Sequence, residues 1–280
     1  MPEGDSLARV ERRLSPVLLG QSILRSQLRV PSLATVDLSG RTVTDVSAYG
    51  KHLFLQFDGG DLLHSHLKME GTWRVVDAGA TWGAQASRVR AVLETAGHTI
   101  LGIDLGTLEA MTPSSRAELE NRLGPDPLHR WDEEEALGRL QNRPERGIGL
   151  ALLDQQVIAG LGNVFRSEVL FLSRLHPERT VGSLSEDALR SVVQLSARQL
   201  VENAARPSRR TTPTTSRERY YVYGRAGRMC VRGHARISHG TLADPELQRG
   251  WVGGDSQRLD AVARDVFWCP RCQATPNAAR

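Results

Sequence analysis

The spacing of apolar residues changes character once along this chain, on either side of a proline-stiffened connector, LGPDPL, at Leu123–Leu128. From 22 to 112 the apolar residues come in short runs, such as HLFLQFD, TWRVVD and HTILGIDLG, parted by Gly, Asp and Ser. Side chains on a strand alternate between two faces, and many short runs with turn signals make a sandwich or a barrel. Past the connector the period lengthens. Asp132 stands where a helix cap belongs, ahead of EEEALGRL. IGLALLDQQVIAG, NVFRSEVLFLSRL and LSEDALRSVVQLSARQLVENAA then carry a helical pattern to about 205. One helix is expected ahead of the strands as well: Leu7, Val10, Leu14 and Val17 share a helical face that closes at Leu18-Leu19-Gly20. Strand and helix periods build different layers, so the chain reads as α+β, with a β-rich body and a helical one.

The predicted boundaries are 1–120 for the β-rich domain, 121–131 for the linker, 132–219 for the helical domain and 220–280 for a last segment of short strands around the cysteines. At 280 residues and 40% hydrophobic content, the chain can bury real cores. No apolar run approaches the length of a membrane span, and Glu3 and Asp5 charge the start, so neither a membrane anchor nor a signal peptide is expected. The expected location is the cytoplasm.

Three cysteines cannot close a disulfide framework, and two of them form Cys269-Pro-Arg-Cys272. In a reducing compartment that spacing points to metal. Cys230-Val-Arg-Gly-His234 offers the other half of a tetrahedral Cys3His site, with His239 also in range as the fourth ligand. Four protein ligands leave no open position, so zinc here would be structural.

Charge is unevenly distributed. Residues 201–280 hold 14 arginines against 7 acids, whereas the whole chain nets only +4. Within 206–236 there are nine arginines and one acid, Glu218. A stretch so basic, running into the ordered-looking YYVYGRAGRMC, is expected to form a phosphate-binding surface. Lysine is nearly absent. Only Lys51 and Lys68 escape the arginine bias, and lysine is a compact point charge that can approach one oxygen and can give up a proton.

The chain opens MPEGDS. If Met1 is trimmed, Pro2 presents a secondary amine beside the carboxylate of Glu3. An α-amino group titrates near 7.7–8.0, against roughly 10.4 for lysine, so a useful fraction is unprotonated at neutral pH. Condensed with an aldehyde-level carbon, a secondary amine gives an iminium with a fixed positive charge that acts as an electron sink. The alternative is that proline merely opens a helix. Further on, Gly160-Leu161-Gly162-Asn163 lies between helical patterns. Glycines allow close approach of backbone to a ligand, and a helix N-terminus suits phosphate. Asn163 either caps that helix or points at a phosphate.

Taken in order, MPEGDS, YGKHLF (Tyr49–Phe54), SHLKMEGTW (Ser65–Trp73), LGPDPL, LLDQQVIAGLGNVFRSEVLF (Leu152–Phe171), VYGRAG (Val222–Gly227) and the terminal WCPRCQ resemble the formamidopyrimidine-DNA glycosylase and endonuclease VIII family. The resemblance spans nearly the whole chain, and the MPEG start is most similar to the endonuclease VIII branch. It implies an N-terminal β-sandwich with a leading helix, a helix–two-turn–helix domain and a zinc finger, with DNA in the cleft between the domains. It implies a bifunctional DNA glycosylase/AP lyase of base excision repair. Pro2 would be the nucleophile at C1′ of the damaged nucleoside, Glu3 the general acid/base, and Lys51 the hairpin lysine that holds a phosphate and assists catalysis. His66, Asn163 and Arg264 would grip phosphates around the flipped nucleotide, and Met69 would fill the gap left in the stack. The implied partner is double-stranded DNA carrying oxidised bases or abasic sites, bound by a monomer near the bacterial nucleoid, with no membrane.

Three departures from the family pattern stand out. Gly233 replaces the usual second cysteine of the finger's first pair, with His234 one residue later. The segment 235–263 is longer than such a hairpin needs, so Arg264 is assigned from its offset to Cys269. The run Asp104–Glu109 lacks the Arg and Phe with which the formamidopyrimidine branch plugs the stack, which favours oxidised pyrimidines over oxidised guanine. An excisor of oxidised purines and a non-catalytic damaged-DNA-binding protein on the same fold are the competing readings. Lys68 and Glu70, flanking Met69, are candidates for tuning the opposite-base choice.

Overall fold

The structure, a computed structural model, describes residues 1–242 and 264–275. It divides into two compact units, Met1–Leu123 and Gly124–Arg280. Most of the long segment ahead of Arg264 therefore lies outside the described residues.

In the first unit the leading helix is present as α1 (Gly4–Leu18), with Leu7, Val10, Leu14 and Leu18 buried along one stripe. Eight strands follow: β1 (Arg25–Leu28), β2 (Val43–Tyr49), β3 (His52–Phe57), β4 (Leu62–His66), β5 (Thr72–Asp77), β6 (Val89–Glu94), β7 (His98–Ile103) and β8 (Thr107–Met111). They form two four-stranded sheets, ordered β1-β6-β7-β5 and β2-β3-β4-β8, and every pairing is antiparallel. One core serves both. Leu53, Leu55 and Leu63 of the second sheet pack in the same cluster as Trp73, Leu93 and Ile100 of the first and the apolar stripe of α1. Buried Trp73 also donates its indole N–H to Ser65 Oγ across the sandwich, at 3.1 Å. The period of two has the expected consequence on β7: Ile100 joins this core, while Leu101 turns outward to a second cluster with Val89 and Val92. A short helix, α2 (Pro113–Arg122), is capped by Thr112, which accepts from the Ser115 N–H.

The second unit is built from α3 (Glu133–Gln141), α4 (Ile148–Ala151), α5 (Asn163–Leu172) and α6 (Glu186–Ala204), followed by the hairpin β9 (Ser238–Leu242) and β10 (Arg264–Trp268). Asp132 caps α3 as its position forecasts, accepting from the Glu135 N–H at 2.9 Å. Ile148, Leu161, Phe165, Val169, Val193 and Leu200 meet in the core of this unit.

One expectation is corrected here. IGLALLDQQVIAG reads as helix but forms only the single turn α4, followed by a tight loop. The loop's own polar side chains hold it. Gln155 donates to the carbonyls of Leu153 (2.9 Å) and Leu161 (2.8 Å) and accepts from Gly160, while Asp154 accepts from the Gln156 N–H. Such local side-chain bonds compete with the helical ladder and win here. In the arginine-rich stretch some of the guanidiniums are spent within the fold. Nη1 of Arg210 donates to Thr212 Oγ1 and to the carbonyls of Pro213, Ser216 and Glu218. Buried Arg225 takes the carbonyls of Tyr221 and Met229, and Arg236 takes that of Gly227. These three guanidiniums cross-link a loop-rich segment, while Arg217, Arg219 and Arg228 of the same stretch are exposed.

Candidate catalytic and DNA-binding sites

In the first unit the functional candidates gather at one end, and the backbone pairing shows why. The Gly20 N–H bonds the Val43 carbonyl at 2.9 Å, and the Ala48 N–H bonds Glu11 Oε2 at 3.2 Å. Helix α1 therefore runs antiparallel to β2. Beyond Glu11, the helix continues for about 10 Å to its start at a rise of 1.5 Å per residue. Beyond Ala48, the chain climbs roughly 6–7 Å at a strand's rise before the turn that carries Lys51. The head of α1 and the β2–β3 hairpin tip thus lie at the same end of the sandwich. Tyr49 pairs with His52, so Gly50 and Lys51 form a two-residue turn, and Gly50 supplies the positive φ (+59°) such a turn needs. Lys51 is carried at its tip.

Pro2 is half-buried at the head of α1. Glu3 has no exposed area and occupies the cap position through its backbone, whose carbonyl accepts from Ser6 (2.8 Å); its carboxylate makes no capping bond. Asp5, also fully buried, pairs with Arg9 at 2.8 Å.

His66 closes β4 opposite His52. Its Nδ1 accepts from the Lys68 N–H at 2.9 Å, so a neutral ring carries its proton on Nε2 and remains a donor there. The turn beyond it is tight. Lys68 adopts φ +52°, and a Cβ on Gly106 would stand 2.0 Å from Lys68 Cγ. Met69, next in this turn, is 55% exposed and stands outside the core.

Sequence reasoning missed a hydrogen-bonded chain beside these residues, two buried histidines ending on a half-exposed carboxylate. His52 Nδ1 and His64 Nε2 lie 2.8 Å apart, and His64 Nδ1 lies 2.8 Å from Glu109 Oε1. Because Glu109 accepts, His64 carries its proton on Nδ1, which makes its Nε2 the acceptor for His52 Nδ1–H. Burial, reinforced by nearby His66, His64, Lys51 and Lys68, holds the His52 imidazole well below the ordinary histidine range. The hydrogen bond from His64 lowers the Glu109 carboxyl. The signal was available: His52, His64 and Glu109 share one sheet face by strand alternation and pairing register.

In the second unit Asn163 is the first residue of α5, 3% exposed, and Gly162 holds the cap position in its place. Asn163 Oδ1 accepts from the guanidinium of Arg166. Arginine has no acceptor, so the amide oxygen faces it and the NH2 group points away. Arg264 opens β10, and the next residue, Asp265, offers its carbonyl to the same guanidinium. Glu168, fully buried on α5, accepts from the N–H groups of Tyr221 (2.7 Å), Val222 (2.8 Å) and Tyr223 (2.8 Å) and from the Thr211 hydroxyl. Burial pushes its carboxyl above the ordinary range although the four donors oppose this.

The Sγ atoms of Cys230, Cys269 and Cys272 lie within 4.8 Å of one another, a cluster able to hold a metal ion. At 3.8 Å the Cys230 and Cys272 sulfurs are not bonded, and all three are free thiols. His234 Nδ1 lies 3.0 Å from Cys272 Sγ. His239 faces elsewhere: its Nε2 pairs with Asp265 at 2.9 Å and its ring stacks on Phe267. The donors present fit a tetrahedral thiolate–imidazole site.

Two family models cover most of the chain: the formamidopyrimidine-DNA glycosylase N-terminal domain over residues 1–109 and the H2TH domain of the same family over 123–216. The chain belongs to the formamidopyrimidine-DNA glycosylase family. A "Probable endonuclease 8 2" of Streptomyces coelicolor is 41% identical to it over 278 residues, which is 99% of this chain and 95% of that protein. A "DNA-(apurinic or apyrimidinic site) lyase Nei2" of Mycolicibacterium smegmatis is 42% identical over 275 residues, 98% of this chain and 99% of that one. Among solved structures, a complex of the Lactococcus lactis glycosylase with DNA containing an abasic site shares the fold. Its TM-score is 0.77 at 24% identity, covering 98% of this chain and 100% of that one. Within the family the chain is a DNA glycosylase/AP lyase of the endonuclease VIII type.

Proposed function

We propose that the protein excises oxidised bases, pyrimidines in preference, and cuts the resulting abasic site by β- and then δ-elimination through an imine to Pro2. The observation that carries this is the placement of Pro2 and buried Glu3 at the head of α1, at the same end of the sandwich as the Lys51 tip. Once Met1 is removed, the Pro2 nitrogen attacks C1′ as the C1′–base bond breaks, and its electrons leave with the base. Glu3 moves the proton that lets the sugar ring open. The resulting iminium draws electrons from C2′. Loss of a C2′ proton expels the 3′ phosphate, and a second elimination expels the 5′ phosphate. Water then releases the sugar fragment and restores the amine.

Lys51 holds a phosphate beside the reacting sugar. His66 Nε2–H, the NH2 of Asn163 and Arg264 supply further phosphate donors. Met69, exposed at a turn held tight by Gly106, fills the space of the extruded nucleotide. Cys230, His234, Cys269 and Cys272 hold zinc, which pins the segment joined to β10 and takes no part in the chemistry. On this reading 1–120 is the catalytic domain, 132–219 the helix–two-turn–helix domain and 220–280 the finger, and the protein acts as a monomer in the cytoplasm.

Borohydride reduction in the presence of abasic-site duplex tests the mechanism. A covalent protein–DNA adduct is expected, and its absence with a correctly trimmed terminus overturns the reading. A single-turnover panel of duplexes with different lesions tests the pyrimidine preference. Binding of damaged or abasic DNA without turnover would instead support a non-catalytic role. Metal analysis should find one zinc per chain, lost on Cys269→Ala with weakened DNA binding.

A further inference from the structure

Arg166 has no exposed area and lies one helical turn beyond Asn163 on α5. Its Nη2 donates to two oxygens, the side-chain Oδ1 of Asn163 and the main-chain carbonyl of Asp265, and its Nη1 reaches the Gly149 carbonyl at 3.4 Å. Burying a guanidinium is costly, and an apolar side chain of similar volume would often fill such a space at no loss of stability. Packing alone therefore does not account for an arginine here. Its two Nη2 partners do. One is the amide that orients a proposed phosphate donor. The other belongs to the residue directly after Arg264, on the strand that bears the second proposed donor.

The chemistry of the amide makes this more than a cross-link. A primary amide is nearly symmetric in shape, and either end can face outward. Facing a phosphate, the NH2 end attracts and the oxygen end repels. A guanidinium, which only donates, permits one of the two orientations. The same nitrogen fixes β10 to α5 at the residue beside Arg264, so one buried cation sets both donors before DNA arrives. Donors fixed in advance lose less conformational freedom on binding.

We propose that Arg166 is a positioning residue that presets the Asn163 amide and the Arg264 strand for a pair of DNA phosphates. This rests on the reading of Asn163 and Arg264 given above.

The test is a set of dissociation constants for a duplex carrying a tetrahydrofuran abasic analogue, which cannot form an imine. Arg166→Gln is expected to weaken binding roughly tenfold to a hundredfold, the scale of a lost hydrogen bond to a charged group. With a natural abasic site, the loss falls on KM more than on the saturating rate. In a chain that already lacks both donors (Asn163→Ala with Arg264→Ala), adding Arg166→Gln is expected to change affinity by less than about twofold. A merely structural role predicts the same loss in both backgrounds, and that result overturns the proposal. Unchanged binding by Arg166→Gln overturns it too. If the glutamine variant does not match the parent in zinc content and melting profile, Arg166→Lys goes through the same comparison. Borohydride trapping by the unaltered chain separates the two levels: no adduct sinks the functional reading, whereas an adduct with equal losses in both backgrounds sinks only the role of Arg166.

Discussion

The two units hold their candidate residues in place by different means. In the first, position comes from backbone geometry: a helix antiparallel to β2, a two-residue turn under Lys51, and a turn at Lys68 pressed against Gly106. In the second, position comes from buried charge. Arg166 fixes Asn163 and β10, and Glu168 gathers four donors from the segment 211–223. A site set by register resists side-chain changes outside the reacting groups. A site hung from buried ions loses several contacts when one ion is removed, because each partner is left without its bond.

The largest effect is expected where no side chain can compensate. A residue or tag retained ahead of Pro2 should reduce borohydride trapping to background while leaving affinity for the tetrahydrofuran duplex intact. Loss of both together would mean that the head of α1 serves binding rather than chemistry. Next comes Glu168→Ala. It orphans three backbone N–H groups, and at about 1–3 kcal/mol for each buried donor left without a partner it should destabilise the second unit by roughly 3–5 kcal/mol or more, with thermal or denaturant unfolding as the measure. A cost under about 1 kcal/mol would erase the contrast between the units.

Smaller effects are expected in the first unit. Gly106→Ala sets a methyl against Lys68 Cγ and also 2.6 Å from Lys68 Cβ, which the backbone holds, so the turn itself must shift and the cost should be about 1–3 kcal/mol. Weaker binding of DNA with a full-strength first-unit core would place the damage at the Met69 turn. The smallest effect concerns acid. His52 is held neutral in the folded unit, whereas an unfolded histidine takes up a proton near 6.5. Its contribution to stability is therefore complete above that pH and is lost as pH falls toward the depressed folded value. Glu109, lowered from 4.5 by His64, adds a loss in the same direction further down. Melting temperature should fall below about pH 6.5, and His52→Gln should flatten the upper part of that slope. A flat profile in the parent would remove the His52–His64–Glu109 chain from the account.

Much of the fold was legible because it follows from period. The α1 stripe, the strand runs and the cap at Asp132 depend on neighbours in sequence. What stayed hidden depends on partners far along the chain. IGLALLDQQVIAG has a helical pattern, but Gln155 and Asp154 spend their side chains on the loop that interrupts it. Nothing in the sequence says that, of the arginines of 206–236, Arg210, Arg225 and Arg236 spend donors on backbone carbonyls of their own segment. His52 and His64 are twelve residues apart, and only the β3–β4 register brings their rings together. Pro2, Glu3, Lys51 and Asn163 were visible as chemistry and as motifs. Arg166 was not, since nothing local distinguishes one arginine in a helix from the other thirty-three.

Helix α5 has a consequence for how this protein can vary. Nine of its ten residues, Asn163 to Phe171, are buried, so it offers no water-facing stripe on which neutral changes could accumulate. Exhaustive single substitution should therefore show an unbroken band of intolerance there, without the three-to-four-residue rhythm expected for α1 or α6. Divergence among relatives would have to be absorbed outside that band.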